Sequence, residues 1–414
     1  MRPDPPRLAL ALALLLAAGP IPARGARDPG EKSVRLRISV KSTLLLTRAP
    51  ADPFLYPDRE NAETLWRVRL EAEGHPSRSA SAVVAYEHRA RVAAHAGGLP
   101  SGVLPDEAPA AYRVRPLDWA IATPPGLSWR HEIDRAMVSL RPPCAEVTLG
   151  RQAIGWGRGV LFSAVDLLAP FSPLEADRDW RRGVDAARVD VRLSDRTSAD
   201  FVGAFSDRLD GSVAAARARG YRGRVDGEVV VGSRARDFCL GATSSAGVGG
   251  AEVHGEIAYF RTRHPLPGAG RDVAKAVLGG SYRLAIGNGV PVVAEYHYSG
   301  FGVSEARDAL VRLSDPEYAR RYVRGDTQIP GCQAAALLAT YEASTALSGG
   351  LTVVLSTEDG SGVAAPDVTV RLGDRLGVHA IVYLPWGADP RGGRLGSFYG
   401  ATPTTGFLQL RFDD

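Results

Sequence analysis

The stretch Val34-Arg35-Leu36-Arg37-Ile38-Ser39-Val40-Lys41 decides how the rest of the chain is read. Apolar residues hold every even position and polar or charged residues every odd one. In an extended strand that period of two sends the two sets to opposite faces. Thr64, Trp66, Val68, Leu70 and Ala72 repeat the rhythm against Arg67, Arg69, Glu71 and Glu73. Two such segments suit any half-buried sheet, so the number of repeats and the lengths of their connections must discriminate.

Sixteen further segments carry the pattern. They lie near residues 79–88, 128–141, 146–154, 184–194, 198–206, 212–219, 225–234, 238–245 and 250–261, then 273–286, 290–300, 333–345, 350–358, 367–373, 376–384 and 405–412. Connections after even-numbered strands are short, such as Gly74 to Arg78, Pro142 to Ala145, Gly287 to Gly289 and Asp374-Arg375. All the long ones follow odd-numbered strands: 43–62, 89–127, 155–183, 262–272, 301–332 and 385–404. Short turns at one end and long loops at the other are the mark of an outer-membrane barrel, with periplasmic turns and extracellular loops. The eighth strand, Ser212 to Arg219, is rich in small residues and is included partly because the parity requires it, so sixteen is the alternative count.

In hydrocarbon an unpaired backbone N–H or C=O costs several kcal/mol, so strands cross a membrane only when the sheet closes on itself. The expected fold is therefore all-β, a transmembrane antiparallel up-and-down barrel. Alternation assigns Leu278, Tyr282, Leu284, Ile286, Val292, Tyr296, Leu337, Tyr341, Val353, Val378 and Val382 to lipid. It sends Arg35, Arg37, Arg67, Arg69, Arg188, Arg192, Arg283, Arg371 and Arg411 to the lumen with Glu71, Glu146, Asp190, Glu295, Glu342 and Glu358. Such a zwitterionic wall either holds its shape through ion pairs or sets a transverse field across a pore. Sixteen to eighteen strands leave an aqueous channel where eight would be filled by side chains. The last strand alternates Leu408, Leu410 and Phe412 with Gln409 and Arg411, and Asp413-Asp414 follow. An aromatic residue at that place is a signal the barrel-assembly machinery reads.

The first residues set the compartment. Arg2 and Arg7 precede an apolar run from Leu8 to Ala18, then Gly19-Pro20 and small residues to Gly25 and Ala26. This order reads as a signal peptide over 1–25, and the run is too short for the roughly 20 apolar residues of a spanning helix. Residues 26–414 then form one barrel domain. The whole chain carries a formal +4; three Arg against Asp4 in the leader bring the remainder near +2. That balance gives no case for nucleic acid. Lysine occurs only at 32, 41 and 275, so the positive charge is nearly all arginine, a residue that grips carboxylates and phosphates in two-pronged fashion. Cys144, Cys239 and Cys332 show no metal spacing, although one pair has the option of joining.

One dense motif stands apart. It runs Leu149-Gly150-Arg151-Gln152-Ala153-Ile154-Gly155-Trp156-Gly157-Arg158-Gly159, then Asp166, Pro170-Phe171-Ser172-Pro173-Leu174, Asp177-Arg178-Asp179 and Arg182-Gly183-Val184-Asp185-Ala186. This tenth of the chain resembles the GRQ-x-I-x-WG-x-G and Pro-Phe-Ser-Pro stretch of porin-like outer-membrane barrels of Gram-negative bacteria, among which alginate-export and capsule-assembly barrels look related. The resemblance implies architecture and leaves the substrate open. A loop at 155–183, which with Arg151 just ahead of it carries Arg158, Asp166, Asp177, Arg178, Asp179, Arg181 and Arg182, is too polar for lipid, and by analogy with porin constriction loops it folds into the lumen. Trp156 then marks either an interface girdle or the folded-in loop.

Chemistry finds little support. The eight histidines form no HxxxH or HxH pair, so no metal site or cofactor is indicated. No Gly-x-Ser-x-Gly elbow is present, and His254 or His297 near Ser299 lacks the third member that activates a nucleophile. The expectation is a non-enzymatic outer-membrane channel for small hydrophilic solutes, in contact with outer-membrane lipid and lipopolysaccharide. Its constriction or lining is drawn from Arg151, Arg158, Asp166, Asp177, Arg178, Asp179, Arg182, Arg35, Arg37, Arg67, Arg69, Arg188, Glu295 and Glu342. The alternative is a plugged barrel that binds or assembles surface polysaccharide.

Overall fold

A computed structural model describes residues 33–95, 102–104, 111–265 and 270–414; the expected signal peptide lies outside them. The strands are β1 (Ser33–Arg48), β2 (Glu60–Ser77), β3 (Ala80–Ala93), β4 (Asp118–Ala122), β5 (Leu127–Leu140), β6 (Ala145–Gln152), β7 (Val184–Arg192), β8 (Thr197–Ala204), β9 (Val213–Arg222) and β10 (Val225–Arg234). They continue with β11 (Asp237–Val248), β12 (Ala251–Arg261), β13 (Asp272–Leu284), β14 (Val290–Ser299), β15 (Gln333–Glu342), β16 (Leu347–Ser356), β17 (Gly362–Leu372), β18 (Leu376–Trp386) and β19 (Thr404–Asp413). Every neighbouring pair is antiparallel, and β19 closes on β1 from Ser39 opposite Asp413 to Arg48 opposite Thr404. The ring has eighteen members, because β3 pairs directly with β5 and β4 is an addition.

Each of the eighteen expected segments overlaps one strand of the ring, the alanine-rich β9 included. Long connections sit at one end and short turns at the other, as the parity required. Three of the expected long connections are built differently from expectation. The first loop is not 43–62 but 49–59, because β1 runs on to Arg48 and β2 begins at Glu60. The reason is Leu45, which points inward and is buried beneath the internal loops. The polar half of the alternation is thereby lost. Within the expected loop 89–127, the short β4 pairs with the loop end of β5, from Asp118 opposite Glu132 to Ala122 opposite Trp129, where β6 no longer covers that edge. Within 301–332 the chain forms two helices, α1 (Ala306–Leu313) and α2 (Pro316–Val323). Asp315 caps α2 by accepting from the backbone N–H of Glu317 and Tyr318, with Pro316 at the first helical position.

The outside of the ring is apolar all the way round. Leu70, Val138, Leu149, Phe201, Val229, Leu240, Ile257, Leu278, Leu337, Val368, Val382 and Leu408 are exposed there. A water-soluble sheet would leave no such belt uncovered. Aromatic residues flank it: Tyr221, Tyr282, Tyr341 and Phe412 towards the turns, Trp119, Trp129, Phe238, Tyr298 and Trp386 towards the loops. At the loop rim Trp129 Nε1 donates to His88 Nε2 at 2.7 Å, and Tyr86, Trp119 and His131 pack around them. Two girdles about an apolar band are what the two membrane interfaces select.

Candidate functional site: the internal loop and the charged wall

Residues 153–183 connect β6 to β7, and the contacts of this segment are with the inner wall. Two wall carboxylates gather its backbone. Glu256 on β12 accepts from the N–H of Arg158, from Gly159 N–H at 2.8 Å, Ala164 N–H at 2.7 Å and Val165 N–H at 3.3 Å, and from Ser163 Oγ at 3.0 Å. Glu295 on β14 accepts from Val160 N–H at 2.5 Å, from Leu161 and Phe162 N–H at 3.0 Å each, and bonds to His254 Nε2 at 3.0 Å. A coil that leaves the wall has N–H groups with no ladder partner, and these two carboxylates supply acceptors in a buried place. Gly157 makes the approach possible: its φ is +110°, and a Cβ there would lie 2.5 Å from Ser163 Oγ and 2.8 Å from Glu256 Oε1. Trp156 is buried inside, with the Arg217 guanidinium 5.2 Å from its ring centre, and so belongs to the loop and not to a girdle.

The far end of the segment is held by cations. Lys41 is fully buried, its Nζ 2.6 Å from Asp177 and 2.7 Å from Asp179. Arg67 bridges Asp177 and Glu87, each at 3.0 Å, and Arg69 reaches Asp134 at 2.9 Å. Arg411 contacts Asp179 at 2.6 Å. The Trp180 ring lies under this group, 4.0 Å from Lys41 Nζ and 4.6 Å from the Arg67 guanidinium carbon, a cation–π arrangement. Glu132 and Asp134 also hold Arg113, at 2.8 and 3.3 Å, which ties in residues 111–117 from the preceding loop.

The candidate residues therefore fall into groups. Asp177, Asp179, Arg67 and Arg69 come together in the network just described. Arg158 reaches Asp226 at 3.0 Å and Glu228 at 3.2 Å, while Arg188 meets Asp200 at 2.8 Å; Arg217 links the two through Asp200 and Glu228. Arg178 donates to the carbonyls of Ser172 and Pro173, and Asp166 pairs with Arg181, so these stiffen the loop from within. Arg182 lines the outer cavity described below. Four positions depart from the expected lining. Arg151 is the penultimate residue of β6 and is buried under 113–117, bonded to Asp185 through both prongs and to the carbonyls of Arg115, Pro116 and Ile133. Arg35 and Arg37 stand at the turn rim, half exposed, opposite Glu73 and Glu71. Glu342 ends β15 at the same rim and is exposed. Alternation gives a residue's face and not its height, which is why the rim positions were indistinguishable from the lumenal belt.

Four contributors were missed: Lys41, Glu256, Trp180 and Asp134. The rarity of lysine was the one signal available for Lys41; for the others only three-dimensional proximity reveals the role.

The segment stands between two hollows. An outer cavity of about 640 Å³ takes Pro170, Phe171, Ser172, Glu175 and Arg182 from it, with Tyr56, Asn61 and Glu63 at the loop end of the wall. An inner one of about 600 Å³ takes Arg158, with Arg192, Thr197 and Arg219 beside the turns. A second loop, 300–332, braces the first: Gln328 accepts from Ser163 N–H and donates to the Phe171 carbonyl. The three cysteines are free thiols, and among the described residues no group of His, Cys, Asp or Glu is placed to hold a metal ion.

Comparison with solved structures agrees with this geometry. The chain matches Acinetobacter baumannii OccAB1 with a TM-score of 0.57 at 9% identity, over 92% of this chain and 96% of that one. The fold is the porin barrel. Pseudomonas aeruginosa OccK9 (OpdG) superposes with a TM-score of 0.54 at 11% identity, covering 92% and 98%. A BenF-like porin from Pseudomonas fluorescens does so at 0.52 and 8%, covering 92% and 98%. No protein-family model and no curated protein matches the sequence.

Proposed function

We propose that this chain is an outer-membrane channel of porin type that lets small hydrophilic solutes pass down their gradient, with residues 153–183 as its constriction. The observation that carries the reading is the internal loop with a cavity on each side. A structural plug has no need of hollows facing both compartments, whereas a selective channel requires a vestibule, a narrow zone and an exit. The outer cavity falls within the range of small-molecule sites, and its lining sets Asn61, Glu63 and Arg182 beside Tyr56 and Phe171, a mixture that suits small hydrophilic solutes. The apolar belt suits outer-membrane lipid, the aromatic loop rim suits lipopolysaccharide head groups, and the last strand, with Phe412 next to its end, is the one the assembly machinery would engage.

Liposomes carrying the purified protein test this by osmotic swelling. Swelling is expected with amino acids and monosaccharides and is expected to decline steeply for oligosaccharides. A complete absence of swelling for every solute would instead favour the plugged polysaccharide-binding reading, for which the interlocked loops 153–183 and 300–332 speak.

A further inference from the structure

Nearly every buried cation in this barrel has its carboxylate within 4 Å; Lys275 does not. It projects inward from β13 and is 1% exposed, yet among the described residues no carboxylate or hydrogen-bond acceptor lies within bonding reach of its ammonium. Directly across the ladder on β14 stands Ser299, and Val277 is opposite His297, so Ser299 and His297 share the lumenal face beside Lys275. Both are 0% exposed, the Ser299 hydroxyl has no hydrogen-bond partner, and neither His297 ring nitrogen makes a well-formed hydrogen bond, the Ala276 backbone acting on the ring only weakly. The Phe162 ring from the internal loop stacks on His297 with centres 4.9 Å apart and planes 12° apart, closing the place from the channel side.

The surrounding charges are committed elsewhere. Asp326 is held by Arg234, Arg321 and Arg324, Asp166 by Arg181, Glu256 by loop N–H groups and Glu295 by loop N–H groups and His254. Asp326, Glu256 and Asp166 act on Lys275 at longer range, as does Arg234. An ammonium offers three donors and no acceptor, a serine hydroxyl one further donor, and a neutral imidazole one more. Leaving such a charge unpaired in a place almost closed to water is costly. We infer that Lys275, Ser299 and His297 form a closed binding site for one small inorganic anion of halide type, wedged between the β13–β14 wall and the internal loop. The ion completes the seating of Phe162 and with it the loop. This site is separate from the solute path, so it stands whether or not the barrel conducts.

The test uses the intact protein in detergent, exchanged from gluconate into bromide at constant ionic strength. Crystals grown in bromide should show an anomalous peak within hydrogen-bonding distance of Lys275 Nζ and Ser299 Oγ. The unfolding temperature should rise and saturate with bromide, and Lys275→Gln and Ser299→Ala should each abolish or weaken both signals. Water in place of bromide, together with a wild-type unfolding temperature indifferent to halide, would overturn the inference. A bromide peak that persists unchanged in Lys275→Gln would do so as well. Because the wild-type measurements decide by themselves, a variant that fails to fold does not leave the matter open.

Discussion

At the scale of the residue, burial separates the ion pairs that matter from those that do not. Lys41 is enclosed between two carboxylates, and removing one partner of a buried pair leaves the other uncompensated. Lys41→Met is therefore expected to lower unfolding stability by on the order of 3 kcal/mol and to make channel currents noisier, read from denaturant curves and bilayer recordings on one preparation. Arg37→Ala serves as the contrast. Its partners Glu71 and Glu73 are reached from the exposed rim, where a pair is worth about 0–1 kcal/mol, so neither readout should move. Glu295→Gln keeps the shape but removes the charge that three N–H groups and His254 share. It should cost about 1–3 kcal/mol and enlarge the mean conductance as the loop loosens. At Asp326, burial alone would raise the carboxyl, but Arg234, Arg324 and Arg321 outweigh it and hold the value at about 2. A depressed folded value means that the stabilisation is in full force above the unfolded value of about 3.9 and disappears as pH falls through about 2. Hydrogen exchange in 300–332 should accordingly stay slow at mild acidity and accelerate only near that lower limit; release of the segment around pH 5 would show that the three arginines are not its anchor.

At the scale of the element, the strands were legible because lipid and water impose opposite demands on alternate residues, as in Val34 to Lys41. Legibility failed where a loop covers the lumenal face. Leu44, Leu45 and Leu46 are apolar on both faces, so β1 reads as ending early although it continues to Arg48. The helices of 306–323 were missed for a related reason: two turns each, they are shorter than the window in which a helical stripe declares itself. β9 shows the opposite case. Ala214, Ala216 and Ala218 give almost no contrast, and the parity of the connections found the strand where its side chains did not. That parity has a direct check. In a Cys144→Ser background, Arg391→Cys in the long connection 387–403 should react on intact cells with a membrane-impermeant maleimide, and Arg224→Cys in the turn between β9 and β10 should not. Equal labelling would mean the two ends are wrongly assigned. On the outer face, Leu278→Arg is expected to cost about 2–4 kcal/mol in lipid, as for a cation near the bilayer midplane.

At the scale of the whole molecule, closure and occupancy answer different questions. Closure follows from the ladder between β1 and β19 and was implied by the sequence, since open edges have no place in hydrocarbon. Occupancy of the lumen was not implied by any local pattern. The polar motif after Arg151 indicated a loop unsuited to lipid, but the partners that hold it, Glu256, Glu295 and Lys41, come from strands distant in sequence, 92, 134 and 136 residues from the groups they bind. Sequence marks such residues as lumenal without saying that they touch one another. The measurement that bears most directly on the channel reading is single-channel conductance of the purified protein in planar bilayers at high salt. Discrete, ohmic steps are expected, growing larger and less steady in Glu295→Gln. Bilayers that stay silent with both proteins, although each is folded and inserted, would contradict it.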